Sequence, residues 1–360
     1  MTNNLAYHRE QVELKNQSAP ADTNSIMQPQ VTETKKATFQ TLPCECCNSE
    51  KLALVCHRDD STRIMRCREC SLESVNPLPD KNQIDLLYNR QMKGDAFGLS
   101  ADNPYFRGYI AQHIEREQSF KKIYKKWLDL IERFHHGRGD LLDIGCGAGF
   151  FLHYAKTRGW NVHGIDLLSD YIRFAKEELK LDNTQDLSLE EANFEPHSFD
   201  VITLWDFIEH LQHPLAKLQK INRLLKPGGI VAIWTPNVKN AVFMKERWIG
   251  YAVQQHLYFF SLRTLSEILQ RTGFRIAFSR TNKTKKGLLI SKESLTFQAG
   301  SLNKKELEKP QHLPGRLWFS VKRDIKNTLN PMTYLDPLLS LVGFGFNLLV
   351  IAVKEPDKDT

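Results

Sequence analysis

LLDIGCGAGF, Leu141–Phe150, is the stretch whose reading decides the fold. A short apolar strand from Asp140 to Cys146 runs into a turn built on Gly145, Gly147 and Gly149, and a helix opens at Phe150 and continues to Arg158. Glycines let the backbone pass close under a ligand and take positive φ. The N-terminus of the following helix offers free N–H groups at the same place. A glycine turn alone is a weak signal, since dinucleotide sites have one too, but that pattern wants a further glycine or alanine where this chain has Phe150. The next strand, Asn161 to Asp166, ends on a carboxylate 23 residues after Asp143. A carboxylate there can accept both hydroxyl protons of a ribose.

Outward from this unit, strands and helices alternate. Ser169 to Lys180 reads as a helix, Phe199 to Trp205 as a strand, Pro214 to Leu225 as a helix with proline at its start, and Ile230 to Thr235 as a strand. Ser261 to Arg271 adds a helix, Phe274 to Arg280 a strand, and Asn347 to Lys354 a last strand. Such alternation predicts an α/β fold, a doubly wound and mostly parallel sheet covered on both faces. Upstream, Ile110, Ile114, Ile123, Trp127, Leu130 and Phe134 recur at helical spacing and predict one long helix from about Arg107 to Phe134. A shorter helix is expected over Asp80 to Tyr88.

The ordered motifs resemble those of class I methyltransferases that use S-adenosylmethionine (SAM). DIGCGAG is similar to their first motif and GID, ending at Asp166, to the second. SFDVITLWDFIEHLQHP (Ser198–Pro214), LLKPGGIVAIWTPN (Leu224–Asn237) and the run from Gln255 to Phe274 resemble the later ones. The likeness covers about Asp140 to Arg280. It implies a Rossmann-like, seven-stranded sheet with SAM as cofactor. It also implies that Asp143, Gly145 and Gly147, with Gly149 closing the turn, hold the methionine end. Asp166 would then bind the ribose, with Leu167 beside the adenine and Leu189 and Glu190 at the usual adenine contacts. Each glycine could equally serve a plain tight turn, and Asp166 a solvated strand end.

Six of the seven cysteines fall between Pro43 and Leu78. Cys44 and Cys47 are separated by two residues, as are Cys67 and Cys70, with nineteen residues between the pairs. This is four-cysteine zinc spacing, and a closed sulfur tetrahedron is structural. Asn48 and Ser71 stand where such knuckles usually carry glycine; Cys46, Cys56 and His57 are alternative ligands. Cys146 reads as a small buried residue. The module and the following NPLP…LLY resemble the N-terminal region of a bacterial methyltransferase subgroup found with glycan and lipid biosynthesis. The chain thus divides into a disordered tail (1–42), a zinc-ribbon-like module (43–79), a helical linker (80–139) and a methyltransferase domain (140–360).

Two sets of residues are candidates for chemistry. Asp206, Glu209 and His210 follow the fourth strand of the domain. The ubiquinone-biosynthesis O-methyltransferases carry E-x-x-E-H here and bind a divalent cation with it. This chain has D-x-x-E-H, which implies a magnesium site or, more plainly, a Glu–His pair that organises a loop. His256 and His210 are the candidate catalytic residues. His256 opens HLYFFS and can deprotonate a hydroxyl or simply dock the loop.

Between Thr281 and Lys326 there are eleven Lys or Arg against four acids, which accounts for the whole net charge of +7. This basic insertion, about 281–340, contains an amphipathic stretch at Arg316–Lys326 that suits either a lid or contact with an anionic membrane surface or lipid-linked substrate. The cysteine module carries about as many acids as bases, so nucleic acid is not expected. No signal peptide is evident, and the thiols suit a reducing cytoplasm, with peripheral contact at the inner membrane face if the helix is interfacial. The expectation is a SAM-dependent methyltransferase acting on a small hydroxylated acceptor: a sugar, a lipid-linked intermediate or a quinone-like ring. The alternatives are a methyltransferase of ribosomal RNA bases and a non-catalytic SAM-fold subunit.

Overall fold

The computed structural model describes residues 42–58, 62–80, 83–84, 104–282 and 342–356. In chain order these form strands β1 (Leu52–His57), β2 (Arg63–Cys67) and β3 (Glu73–Val75), then helices α1 (Pro104–Glu115) and α2 (Glu117–Phe134). There follow β4 (Asp140–Ile144), α3 (Phe150–Thr157), β5 (Asn161–Ile165), α4 (Ser169–Glu177), β6 (Thr184–Gln185) and β7 (Phe199–Trp205). The rest comprises α5 (Pro214–Leu224), β8 (Leu225–Pro236), β9 (Tyr258–Phe259), α6 (Leu262–Arg271), β10 (Phe274–Asn282) and β11 (Asn347–Lys354), with short helical turns between β8 and β9.

Seven strands make one sheet in the order β10-β11-β8-β7-β4-β5-β6. The pairs β4–β5, β4–β7, β5–β6 and β7–β8 are parallel, and only β11 runs antiparallel to its neighbours. This is the doubly wound, mostly parallel sheet that the alternation predicts. Parallel strands are covered on both faces, so their interiors must be apolar. Leu141 and Leu142 on β4, Val201, Ile202 and Leu204 on β7, and Val231, Ala232 and Ile233 on β8 are all fully buried. The strand order reverses at β4, which lies between β5 and β7. In open α/β sheets the crevice outside the carboxyl ends of the strands at such a point is where ligands bind.

The upstream helix departs from the expectation of a single long one. It breaks at Arg116, whose φ of −110° and ψ of 22° leave the helical region. The buried stripe of α2 is Tyr124, Leu128 and Ile131, and Ile123 is exposed. The break has a packing reason. His113 of α1 stacks between Phe120 and Phe150, with ring centroids at 4.0 and 4.5 Å, whereas α2 lays Leu128 and Ile131 into the core under the sheet. In one straight helix His113 and Phe120 would be ~10 Å apart along the axis and could not stack.

The first three strands form a second, smaller sheet in the order β1-β2-β3-β9. Its fourth strand, β9, comes from the chain beyond the large sheet's β8. The expected tail, most of the Asp80–Tyr88 helix and most of the basic insertion with Arg316–Lys326 lie outside the described residues. No helix among the described residues is long and apolar enough to cross a membrane.

Candidate active site

At the end of β4 the chain turns sharply. Gly145, Gly147 and Gly149 have φ of 76°, 53° and 80°, the left-handed region that favours glycine. The turn is tied to the end of β5: Gly145 N–H and Cys146 N–H donate to the Ile165 carbonyl at 2.8 and 3.1 Å. Close packing adds a second reason for glycine, since a Cβ on Gly145 would lie 2.3 Å from the Phe207 ring. Gly149 caps α3 without any side-chain partner. The first-turn N–H groups of that helix are therefore left for a ligand.

Two carboxylates flank the turn. Asp143 is buried and accepts a 2.6 Å hydrogen bond from Thr203 Oγ1 on β7. Burial pushes its carboxyl up to about 8, with a smaller push from Asp166. Asp166, half-buried, accepts from Gly147 N–H at 2.8 Å through Oδ2 and from Leu168 N–H at 3.0 Å through Oδ1. Burial also raises its carboxyl, against the pull of those N–H groups. Leu167 beside it is 54% exposed, an apolar side chain held in the open at the crevice. Tyr109 of α1 covers the turn from above, its hydroxyl 3.0 Å from where a Gly147 Cβ would sit and its ring 5.1 Å from that of Tyr171. Of the remaining expected contacts, Leu189 is buried in the core and Glu190 is exposed and paired with Lys217.

A second polar centre follows β7. Glu209, His210 and His256 bring their ligand atoms within 4.8 Å of one another. Asp206, expected to join Glu209 and His210, stands outside this group, exposed and with a φ of 50°. His256 takes its place, carried there by the segment after β8. His210 Nδ1 donates to the Gln255 carbonyl at 3.1 Å and His256 Nδ1 to the Gly250 carbonyl at 3.0 Å. Because a carbonyl only accepts, each Nδ1 carries the proton and each Nε2 keeps a lone pair. Burial holds His210 down at about 4 and His256 well below its ordinary value, so both rings are neutral near pH 7. Glu209 Oε2 accepts from Thr235 Oγ1 at 2.9 Å, while Oε1 is buried with no partner. Burial, with a further push from Asp206, raises the Glu209 carboxyl well above its ordinary range and so favours its protonated form. Two imidazole lone pairs thus lie close to a buried carboxyl whose Oε1 has no partner. Such a set takes a proton from a hydroxyl or holds a cation.

The four cysteines meet at one point. Cys44 Sγ lies 3.5 Å from Cys70 Sγ, and Cys47 Sγ 3.5 Å from Cys67 Sγ. Tetrahedral zinc with bonds of about 2.3 Å sets sulfur atoms ~3.8 Å apart, so the four thiols fit that ion. Asn48 and Ser71 adopt φ of 58° and 70°, the left-handed turn that glycine would provide, and their N–H groups donate to Cys44 and Cys67 carbonyls. Cys46, Cys56 and His57 are not part of the group.

Thr203 and Thr235, which bond Asp143 and Glu209, and Tyr109 over the turn are neighbours of the candidate residues that sequence reasoning missed. The two threonines sit mid-pattern in apolar strands, and nothing in their spacing marks which carboxylate each will meet.

Residues 116–277 match a family model described as a methyltransferase domain. A ubiquinone biosynthesis O-methyltransferase from Colwellia psychrerythraea is 30% identical over 151 residues, 41% of this chain and 58% of that protein. Phosphoethanolamine N-methyltransferase 2 from Caenorhabditis elegans is 31% identical over 193 residues, 51% of this chain and 43% of that protein. The chain thus spans roughly half of the curated relatives it matches. Among solved structures, phosphoethanolamine N-methyltransferase 2 from Haemonchus contortus in complex with SAM matches at 23% identity and a TM-score of 0.42, over 65% of this chain and 53% of that one. Together with the motifs and the sheet, the family match identifies this region as a class I SAM-dependent methyltransferase domain.

The glycine turn yields a direct test. Gly145→Ala must bear both a left-handed backbone, at about 1–2 kcal/mol, and a clash with Phe207. Scanning calorimetry should show a fall in melting temperature of at least roughly 2–4 °C per kcal/mol. An unchanged melting temperature would refute the strain.

Proposed function

We propose that this chain transfers a methyl group from SAM to a small hydroxylated acceptor, such as a sugar, a lipid-linked intermediate or a quinone-like ring, and most simply to an oxygen. The observation that carries this reading is the second polar centre: two neutral imidazoles and the half-satisfied Glu209 carboxyl, gathered at the loop that leaves β7 just after Phe207, whose ring lies against Gly145 of the glycine turn. When bound, SAM supplies an electrophilic methyl group on a sulfonium. The chain's own work is to seat it, position an oxygen in line, exclude water and accept a proton. The seat is assigned to Asp143, Gly145 and Gly147 for the methionine end, Asp166 for the ribose and Leu167 for the adenine. His256 Nε2 is assigned as the atom that takes the acceptor's proton, with His210 beside it at 4.8 Å between ring centroids. The likeness to an O-methyltransferase supports oxygen as the receiving atom.

A second reading is favoured by the unpartnered Glu209 Oε1. A divalent cation such as magnesium, held by Glu209, His210 and His256 in place of the expected Asp206 set, would lower the acceptor's own pKa. We further assign Cys44, Cys47, Cys67 and Cys70 to a structural zinc ion, because four converging thiols at tetrahedral spacing suit that ion and leave no open position.

SAM binding is measured by calorimetry. Asp166→Ala should weaken it at least tenfold, about 1.4 kcal/mol, as expected for charge-assisted hydrogen bonds to ribose hydroxyls. Unchanged affinity would remove the ribose assignment.

The acceptor side is tested by label transfer from methyl-labelled SAM to hydroxylated probes, beginning with 3,4-dihydroxybenzoate. His256→Ala should cut turnover by about a hundredfold while SAM affinity stays. If the cation reading holds instead, a chelator stops turnover and added magnesium restores it. A chelator-insensitive enzyme whose His256→Ala variant keeps full turnover would rule out both.

Protein purified under reducing conditions should carry about one zinc ion per chain by elemental analysis, because such sites hold the metal tightly. Absence of zinc would refute the thiolate site.

A further inference from the structure

The cysteine module and the segment that carries His256 are built into each other. The module's three strands receive β9 as their fourth: Glu73 pairs with Phe259 and Ser74 with Tyr258. One residue before β9, the Leu257 peptide is held from both sides. Its carbonyl accepts from Val75 N–H of the module at 2.8 Å, and its N–H donates to the Glu209 carbonyl at 2.8 Å. His256 is therefore fastened next to a peptide that the module and the Glu209 loop share.

Arg58 adds a second fastening. Its side chain is buried, and Nη1 donates to the Val253 carbonyl at 2.9 Å and to the His256 carbonyl at 3.0 Å. Its Nε donates to Thr62 Oγ1 at 2.8 Å, which holds the guanidinium to the module. Glu73 adds a third. Buried on β3, it accepts from the Tyr251 hydroxyl and from Arg66 Nε at 2.7 Å. Tyr251 in turn packs edge-on against Trp248 and Phe259, each with ring centroids at 5.0 Å. Ile64 and Val75 from the module share one buried cluster with Trp248, Tyr251 and Phe259. The module therefore grips the segment Gly250–Leu257 at Tyr251, Val253, His256 and Leu257. In contrast, Asp143 and Asp166 take their hydrogen bonds from Thr203, Gly147 and Leu168, all within the large domain.

We propose that the four-cysteine module is a positioning element for the acceptor side of the reaction, with Arg58 as its principal positioning residue. Metal held by the four thiolates closes β1–β3. That closure presents Arg58, Glu73 and Val75, and these hold the 250–257 segment so that His256 keeps Nδ1 on Gly250 and Nε2 turned to Glu209 and His210. Loss of the metal, or of Arg58, frees His256 without disturbing the SAM seat. This inference rests on the assignment of His256 made above.

The test uses the full chain as wild type, Arg58→Met and Arg58→Lys, and the wild type after zinc is released with a mercurial. Hydrogen exchange of the 250–258 amides is read by mass spectrometry, the modification of His256 by diethyl pyrocarbonate by peptide mapping, and SAM affinity by calorimetry. In Arg58→Met and in zinc-depleted protein, exchange should quicken at least tenfold and His256 should become reactive, with SAM affinity within twofold of wild type. Arg58→Lys should restore most of the protection, because an ammonium can donate to both carbonyls. On any probe the wild type methylates, kcat should fall at least tenfold in Arg58→Met while KM for SAM is unchanged. If Arg58→Met does not fold, Tyr251→Phe, which removes the bond to Glu73, takes its place with the same readouts. A 250–258 segment as protected as wild type, or an undiminished kcat, overturns the proposal. A wild type that methylates no probe, or a His256→Ala variant with full turnover, defeats the functional assignment instead, and the exchange data still decide whether the module holds the segment.

Discussion

Burial of both faces of the parallel sheet is the constraint on which the rest of this structure depends. β4 has a parallel strand on either side and helices above and below, so its interior has room only for apolar groups. Polar chemistry is displaced to the carboxyl ends of the strands, where the backbone leaves the sheet. Asp143 and Asp166 stand there, and each is tied down by its surroundings: one by Thr203, the other by two backbone N–H groups. The reversal of strand order at β4 opens the crevice between them and the residues after β7.

The same constraint shapes the polar centre that follows β7. Glu209 reaches the end of β7 only by being buried, and Thr235 on the adjacent β8 satisfies one of its oxygens. The other oxygen has no partner and lies close to the two imidazoles, and burial with the charge of Asp206 favours the protonated carboxyl. Charge in such a site is costly unless a proton or a cation arrives to share it.

The cysteine module supplies what the large domain lacks. Segment 250–257 ends the 237–257 connection from β8 to β9, which runs through short helical turns and has no extended strand of its own to hold it. The module gives it a sheet edge, a buried guanidinium and a tyrosine partner. A module this small cannot bury enough apolar surface to be stable alone. A core shared with the domain helps offset that shortfall: Cys44, Cys46, Cys67, Cys70 and Leu72 pack in the same cluster as Ile208, Leu257 and Phe260.

Local pattern was enough to establish the glycine turn, the acid at the end of β5, the alternation of strands and helices and the pairing of Cys44–Cys47 with Cys67–Cys70. Each of these depends on residues near one another in the chain, where periodicity and spacing act directly. Asn48 and Ser71 looked ill suited to the knuckle turns, yet both adopt the left-handed backbone, and their N–H groups bond the Cys44 and Cys67 carbonyls. Of the two readings of His256, the docking one is visible: Nδ1 ties the loop to the Gly250 carbonyl. Only the tertiary structure decided that His256, not Asp206, joins Glu209 and His210, that the upstream helix breaks at Arg116, and that the module's sheet is completed by β9. All three turn on contacts between segments distant in sequence, and Arg58 meets His256 across 198 residues. Local pattern carries no information about such meetings, since they are selected by which surfaces remain to be buried once the large sheet has formed.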